Sequence, residues 1–449
     1  MMRILLFVFL VMLVPRWVEA QDELTLNEAI ELALENHFQI LQAENDLGMA
    51  EAQIRSAQAN FLPGLSASLG GNQNVGRQFV QEDATFADRT TYGISGSIRT
   101  DITIFRGFEN INQLRQSRVN RDMQEADNQR LREQIVFNTA MQYLQVLLDE
   151  ELVGIAEQNL EISRQQLEQV SAQVEVGSRP IVDQYQQESV VASNELSLVQ
   201  AENALQVSRT QLYRILQIDP LEQVAFVAPD IDEEELVPSD LDLNQMIQFA
   251  LQNRSDVQAQ KLNLQTMRYD LELARAAYYP SVTANANFNT RYSDQYRLAN
   301  ETVGFQDQFF EQMITRSVGF SVTIPIFNRL NTRTSVEQAQ VQLKNARLNL
   351  DDLEYGVREE IGQAYSDYVA LSKELSATEK ALVAAERTYL TQQQRYEIGS
   401  TTLIELNQAT TDYMESQSNR LRTTYNFVFQ EKLLDYYLGR LSEQLSPDV

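Results

Sequence analysis

Two glycine-centred stretches decide the fold: QVEVGSRPIVDQ (Gln173–Gln184) and RYEIGSTTLIEL (Arg395–Leu406). Each follows a long proline-free segment in which apolar residues recur at three- and four-residue steps, a period typical of an amphipathic helix. A glycine just past the last periodic residue ends a helix, and a proline or a hydroxyl residue soon after it starts the next. Pro180 follows Gly177 in this way, and Ser400 or Thr401 is the expected N-cap after Gly399. The sequence therefore predicts long helices at 106–176 and 328–398 and return helices at 181–217 and 403–439.

The chain also repeats itself. LTLNEAIELALEN (Leu24–Asn36) aligns with LDLNQMIQFALQN (Leu241–Asn253) at an offset of 241 − 24 = 217, whereas Gly177 and Gly399 differ by 222. The second copy therefore has five extra residues, which fall between the positions that correspond to Pro63 and Ile104 of the first copy. This conserved spacing predicts two tandem structural repeats, 21–229 and 230–449.

Each repeat also contains shorter helical segments, at about 26–61 and 243–278. A short helix and a return helix together approach the length of one long helix, which is about 105 Å at 1.5 Å per residue. We therefore expect the short and return helices to stack end to end beside the long ones, forming a uniform helical wall with narrow, coiled-coil-like apolar stripes.

Between the short and long helices the hydrophobic period changes from about four to two. The hairpin segments 64–105 and 281–327 alternate apolar and polar residues, which is typical of strands with lipid on one side and water on the other. A soluble sheet edge would show a similar alternation. Four strands cannot close a barrel, so three copies, 3 × 4 = 12 strands, are expected, with Gly76–Thr91 and Ser293–Arg316 as the outer loops.

The composition limits the location and the chemistry. Residues 1–20 have the charged, apolar and small-residue regions of a cleaved signal peptide. The chain has no cysteine and therefore no disulfide bonds, and with a single histidine, His37, it offers no pattern typical of a metal or cofactor site. Its net charge of −27 argues against nucleic acid and anionic membrane surfaces as binding partners. The sequence contains neither a glycine-rich phosphate loop nor a nucleophile motif, so no motif points to an enzyme.

The signal peptide, the repeated L-x-L-N-x-x-I-x-x-A-L-x-N motif, the two strand hairpins and the VG and IG turns resemble the TolC family of outer-membrane efflux proteins. The resemblance implies a homotrimer: a 12-stranded β-barrel in the outer membrane of a Gram-negative-type bacterium, continued by an α-helical barrel across the periplasm. It implies a passive exit duct of a tripartite efflux pump or a type I secretion system, with a periplasmic adaptor and an inner-membrane transporter as partners.

The resemblance also assigns roles to residues near the turns. Glu405 is expected to form a carboxylate ring at the periplasmic entrance, and Gln408 stands where many relatives have a second acidic residue. Asp183 and Tyr396 match positions that hold the entrance shut in the family, and Thr401 replaces the arginine that completes that network. Two expectations follow: either the network is weaker here, or Arg395 or Arg179 takes the place of that arginine. The expected adaptor-docking tips are Val176, Gly177, Ser178, Ile398, Gly399 and Ser400.

A secreted coiled-coil stalk or surface fibre is the competing interpretation, since long acidic helices alone fit either function. The two lipid-type hairpins favour the channel. Within the channel interpretation, small toxic molecules, metal ions and secreted proteins all remain possible substrates.

Overall fold

A computed structural model describes residues 23–80, 85–220, 224–228, 242–298 and 301–440. The expected signal peptide, residues 1–20, lies outside the described residues, as does the acidic run Asp230–Glu235.

The two halves of the chain contain the same helices in the same order. Both long helices have 67 residues, Glu109–Glu175 and Asn331–Glu397, and both return helices have 36, Ile181–Leu216 and Leu403–Leu438. At 1.5 Å per residue the long helices span about 100 Å. Before each strand hairpin lie two shorter helices, of 11 and 22 residues: Leu26–Asn36 and Phe38–Ala59, then Leu243–Asn253 and Ser255–Ala276.

Within each of the expected helical segments, 26–61 and 243–278, one extended residue separates the two short helices. His37 (ψ 121°) and Arg254 (ψ 129°) end one helix and cap the next. His37 Nδ1 accepts a hydrogen bond from the Gln39 amide at 3.4 Å, so this histidine is both the C-cap of the first helix and the N-cap of the second. The first helix begins in a capping box between Thr25 and Glu28, which satisfies two otherwise unpaired groups.

The helices lie side by side in a wall. Helix Phe38–Ala59 and return helix Ile181–Leu216 both pack along the first long helix; helix Ser255–Ala276 and return helix Leu403–Leu438 pack between the two long helices. The stacking of short and return helices therefore occurs as expected. Helices Phe38–Ala59 and Ile181–Leu216 therefore form one edge of the wall, and the second long helix forms the other edge.

Four long strands form one antiparallel sheet, in the order Gly64–Val80, Thr85–Arg106, Ser281–Ser293 and Thr315–Thr323. The register places Leu69 opposite Gly96 and Gly96 opposite Thr290, so apolar side chains from all four strands share one face. This face is strongly exposed in the single chain, with Leu65 at 78%, Val318 at 87% and Phe320 at 79%.

The strand limits differ from expectation at two places. The fourth strand ends at Thr323 and leaves out Ile324 and Ile326, because Pro325 has no amide proton for the ladder. The first hairpin continues to Val80 and Thr85, well into the expected outer loop Gly76–Thr91. In the other expected loop, Ser293–Arg316, residues Phe305–Gln312 form a short helical turn.

A tyrosine ties the start of the chain to the linker between the repeats. Strand Glu23–Leu24 pairs in parallel with Ala225–Phe226, and the Tyr143 hydroxyl lies 2.7 Å from the carbonyl oxygens of both Leu24 and Val227. Tyr143 is fully buried in a core that includes Leu144, Leu147 and Leu212. This core, with its counterpart in the second repeat, holds the middle of the helical wall together. Among the described helices, none is both long and apolar enough to cross a membrane.

Candidate functional site: the helix tips

The first tip is the turn between the first long helix and its return helix. Gly177 has φ 72°, its amide donates to the Val174 carbonyl oxygen at 2.9 Å, and the Ser178 amide donates to the Gln173 carbonyl oxygen at 2.9 Å. This Schellman pattern requires a left-handed residue, for which glycine lacks the side-chain penalty. Pro180 then caps the return helix in an extended conformation.

The second tip repeats this geometry. Gly399 has φ 74°, and the Ser400 amide donates to the Arg395 carbonyl oxygen at 2.8 Å. The N-cap of the return helix is Thr402, whose Oγ1 accepts from the Glu405 amide at 3.3 Å, and not Ser400 or Thr401. The two tips thus place equivalent residues at the same end of the wall.

The tips are joined by an apolar cluster that the sequence did not predict. Val170 of the first long helix packs with Tyr396, Leu403 and Leu406 of the second hairpin, and all four are buried. Val170 belongs to the regular apolar stripe of the first long helix, which predicts that it is buried but does not predict which residues it contacts. Contact between these side chains fixes one hairpin against the other near the turns.

Arg179 contacts both Asp183 and Tyr396, the two residues that match gate positions of the family. Its Nη1 donates to Asp183 Oδ2 at 3.4 Å, and its guanidinium carbon lies 4.4 Å from the centre of the Tyr396 ring. Burial raises the pKa of Tyr396; the charge of Arg179 acts against this shift and that of Asp183 adds to it. The Tyr396 hydroxyl is buried without a hydrogen-bond partner. Asp183 and Tyr396 therefore interact through Arg179.

The other expected arginine has a local role. Arg395 Nη2 donates to the Ser400 carbonyl oxygen at 3.1 Å, and Nη1 donates to Gln392 Oε1 at 3.3 Å. Both contacts stay within the second tip. Of the two arginines considered as substitutes for the family residue at Thr401, Arg179 is the one that reaches across the hairpins.

A buried amide bridge lies one to two turns above this contact. Gln187, fully buried, donates to the Ser163 carbonyl oxygen and to Gln166 Oε1, both at 3.2 Å. Asn407 Nδ2 of the second hairpin donates to Gln187 Oε1 at 3.1 Å. Neither residue was singled out from the sequence, because glutamine and asparagine are frequent on all faces of these helices. The bridge gives the two return helices a fixed register.

The acidic and neutral candidates are on an exposed face of the second return helix. Glu405 accepts a hydrogen bond from Thr401 Oγ1, and Gln408 donates to Asp412 Oδ1 at 2.7 Å. Exposed carboxylates at the start of a helix are favoured by the helix dipole. Val176 and Ile398, at the outermost points of the two turns, are each 79% exposed. The end of the wall therefore combines a carboxylate face with two protruding apolar side chains.

Comparison with known proteins identifies the family. Residues 29–216 and 246–440 match the family described as outer membrane efflux protein, one range in each repeat and together most of the chain. The chain belongs to this family. It is 24% identical over 441 residues to the outer membrane protein TolC of Vibrio cholerae serotype O1, which covers 94% of this chain and 92% of that protein. It is 22% identical to the cation efflux system protein CusC of Escherichia coli O157:H7, over 91% and 84% of the two chains.

Solved structures agree on the fold. The structure of CusC gives a TM-score of 0.80 at 19% identity, with 92% of each chain covered. The CmeC outer membrane channel of Campylobacter jejuni also gives a TM-score of 0.80, at 16% identity, with 92% of this chain and 85% of that chain covered. The fold is a membrane β-barrel combined with a long α-helical barrel. The protein is located in the outer membrane and is an exit duct for efflux or secretion. Members of the family are channel-type transport proteins that form trimers and work with efflux-pump components.

Proposed function

We propose that this chain forms a homotrimeric outer-membrane duct whose periplasmic entrance is the ring of helix tips, and that it carries no catalytic site. The observation that supports the trimer most strongly is that both layers of the protomer are open. The four-stranded sheet has two edge strands, Gly64–Val80 and Thr315–Thr323, and the helical wall has two unpaired edges.

The open sheet favours closure by other copies. An unpaired backbone amide or carbonyl in lipid costs several kcal/mol, so edge strands cannot remain open in a membrane. Pairing the first strand of one copy with the fourth strand of the next removes every edge in a closed ring. With four strands per copy, three copies give 3 × 4 = 12 strands.

The edges of the helical wall have matching apolar seams. On the first return helix, Leu196, Val199 and Val207 are 58%, 60% and 48% exposed, and their spacings of three and eight residues place them near one face of the helix. On the second long helix, exposed apolar residues recur at intervals of seven: Val341, Leu348 and Tyr355, then Val383 and Leu390. Helices with such seams are stabilised when they pack against one another, so these seams are suited to contact between neighbouring copies.

At the tips, three copies of Glu405 would form a carboxylate ring, with neutral Gln408 above it. A ring of carboxylates favours cations over anions. The contact of Arg179 with Tyr396 and Asp183 would hold the hairpins in the closed arrangement. We assign Val176, Gly177, Ser178, Ile398, Gly399 and Ser400 to the surface that meets a periplasmic adaptor, with an inner-membrane transporter supplying the energy.

The substrate is less restricted. Relatives include proteins named for cation efflux, for pyoverdine export and for secretion of proteases. All three classes fit a passive duct. We propose efflux or type I secretion without choosing among these substrates.

Native mass spectrometry of detergent-extracted protein tests the assembly. Wild type is expected to appear as a trimer, and the double variant Val383→Glu/Leu390→Glu as a monomer. Glu379→Gln, an exposed change on the same helix, is the matched control and should stay trimeric. A wild-type protein that never fractionates with membranes and remains monomeric would favour the secreted stalk instead.

A further inference from the structure

A cluster of four aromatic rings lies at the outer end of the barrel sheet. Phe305 is 5.3 Å from Tyr292 and 5.0 Å from Phe309, and Phe309 is 5.2 Å from Phe310, measured between ring centres. Three of the rings come from the helical turn Phe305–Gln312, which the sequence assigned to an outer loop. An alternating pattern of strands does not account for this segment.

Buried polar contacts hold the turn against the sheet. Gln308 is fully buried; its Oε1 accepts from the Ser293 amide at 3.0 Å, and its Nε2 donates to the Ser293 and Val303 carbonyl oxygens at 3.0 and 2.7 Å. The Thr290 hydroxyl donates to the Phe309 carbonyl oxygen. These bonds link the middle of the turn to two positions on the third strand.

The turn rests on the apolar face of the sheet. A Cβ atom built on Gly96 would lie 2.8 Å from the tip of the Phe309 ring, so the ring occupies the space above this glycine. Gly96 is opposite Thr290, and its neighbours on that face are the pairs Ile94–Tyr292 and Ile98–Phe288. In a membrane barrel the apolar face points to lipid. The turn is therefore on the outside of the barrel wall and not in the channel.

Its height corresponds to the membrane boundary. Thr290 is nine residues above Ser281 on the third strand, which is about 23 Å along the barrel axis for a strand tilted by about 40°. The apolar band of such barrels is about 25 Å tall. Phe305 and Phe310 are 41% and 61% exposed, while the turn also carries exposed Asp307 and Glu311. Apolar rings beside carboxylates suit the boundary between acyl chains and headgroups.

We propose that the turn Phe305–Gln312 is a lipid anchor that inserts Phe305 and Phe310 into the outer leaflet just below the headgroups. Its partner is the lipid surface itself. The contact is continuous with the lipid-facing band of the sheet, and it adds to the aromatic side chains that the strands alone supply. This inference depends on the membrane barrel of the proposed function.

Single-tryptophan fluorescence in vesicles with brominated lipids tests the anchor. Trp17 is the one tryptophan of the sequence, so Trp17→Phe in every variant leaves only the introduced reporter. The reporter is Phe310→Trp. Phe320→Trp, in the middle of the apolar face, reports whether the barrel is inserted, and Asn289→Trp, on the polar face near the height of Thr290, is the control for the channel side.

Bromines high on the acyl chains should quench Phe310→Trp several-fold more than bromines near the chain ends, and Asn289→Trp should be unaffected by either. Quenching of Phe320→Trp but not of Phe310→Trp would overturn the anchor and leave the barrel intact. If no reporter is quenched, the barrel is not in lipid, and the proposed function fails together with the anchor.

Discussion

The guanidinium of Arg179 lies 4.4 Å from the ring centre of Tyr396, although the two residues belong to different hairpins. Arg179 also bonds to Asp183, four residues further along its own chain segment, so it joins one tip to the other. The side chains of Arg179 and Asp183 are 21% and 22% exposed, and this contact is therefore partly shielded from water. It is the only cationic contact that crosses between the tips in the part of the chain that the structure describes.

Removing this contact should favour opening of the entrance. A cation–π contact contributes about 0.5–2 kcal/mol, depending on its exposure. We expect Arg179→Ala to raise the open fraction on the order of five-fold, measured as mean single-channel conductance in planar bilayers. Arg395→Ala is the control, because its contacts stay within one tip. Equal effects of the two variants would contradict a role for Arg179 between the hairpins.

Gly177 and Gly154 provide a matched pair for the tip geometry. Gly177 has φ 72°, where an L-residue costs about 1–2 kcal/mol, whereas Gly154 lies within the helix with open space at its Cβ position. Gly177→Ala should speed amide exchange in residues 173–181 by roughly five- to thirty-fold. Gly154→Ala should slow exchange near residue 154 by up to about five-fold, since alanine favours a helix by about 1 kcal/mol. Slower exchange in Gly177→Ala would rule out the strained turn.

The Tyr143 hydroxyl should stabilise the small sheet that it bonds. Tyr143→Phe leaves the carbonyl oxygens of Leu24 and Val227 with one donor fewer, at a cost of about 1–3 kcal/mol. Amide exchange at Leu24 and Ala225–Phe226 should rise by about five-fold or more. Tyr396→Phe removes a buried hydroxyl that has no partner, so it should leave global stability nearly unchanged. A large loss in both variants would contradict this account, because the ring is kept in both and only the Tyr143 hydroxyl has hydrogen-bond partners.

Tyr143 should also make the stability of the fold depend on pH in the alkaline range. Burial raises the pKa of Tyr143 to about 12. The hydrogen bond to Val227 lowers this pKa, whereas the negative charges of Glu28 and Glu150 raise it. The folded state thus favours the neutral hydroxyl. Its contribution should be complete below about pH 10, the usual tyrosine pKa, and decline as the pH rises towards 12. Tyr143→Phe should flatten this decline in a helical circular dichroism titration.

Arg254 should be essential to the junction between the second repeat's short helices. Only 2% of it is exposed, and it bonds Asp256 and Glu360, both at 2.7 Å. Arg254→Ala leaves carboxylates without their partner and should cost about 3 kcal/mol. Arg275→Ala breaks an exposed pair with Glu272 and should cost less than about 1 kcal/mol. Urea unfolding followed by circular dichroism distinguishes them, and similar midpoints would refute this account.

Acid should weaken the same junction. Burial raises the pKa of Asp256, but the hydrogen bond and charge of Arg254, with the charge of Arg130, outweigh it and lower the pKa overall. The ionised carboxylate is thus favoured by folding. Its contribution is present above about pH 4 and is lost as the pH falls through the lowered pKa.

Much of the fold was predictable because its signals are local. Gly177 and Gly399 mark the tips since a left-handed helix end has few residue choices, and the exact 222-residue spacing fixed the equal lengths of the helices. Pro325 could have indicated the end of the fourth strand at Thr323. The alternation of apolar residues continues past Thr323 in Ile324 and Ile326, and for this reason it predicts a longer strand than the one observed.

The contacts between elements were less accessible. Arg179 and Tyr396 are more than two hundred residues apart, and no periodicity pairs one with the other. Gln187 and Asn407 are inconspicuous in a chain rich in amides. The turn Phe305–Gln312 has neither a helical stripe nor an alternating pattern, and its position depends on Gln308 bonding to Ser293. Such features follow from the tertiary arrangement and not from local preference.

The reversal potential of single channels in a salt gradient tests the central claim, that the helix tips form the entrance of a duct. Wild type should prefer cations, Glu405→Gln should lose most of that preference, and Gln408→Glu should increase it by adding a second carboxylate ring. Circular dichroism should show all three equally folded. A cation preference that is identical in all three proteins would mean that permeating ions do not pass these tips, and would contradict the account.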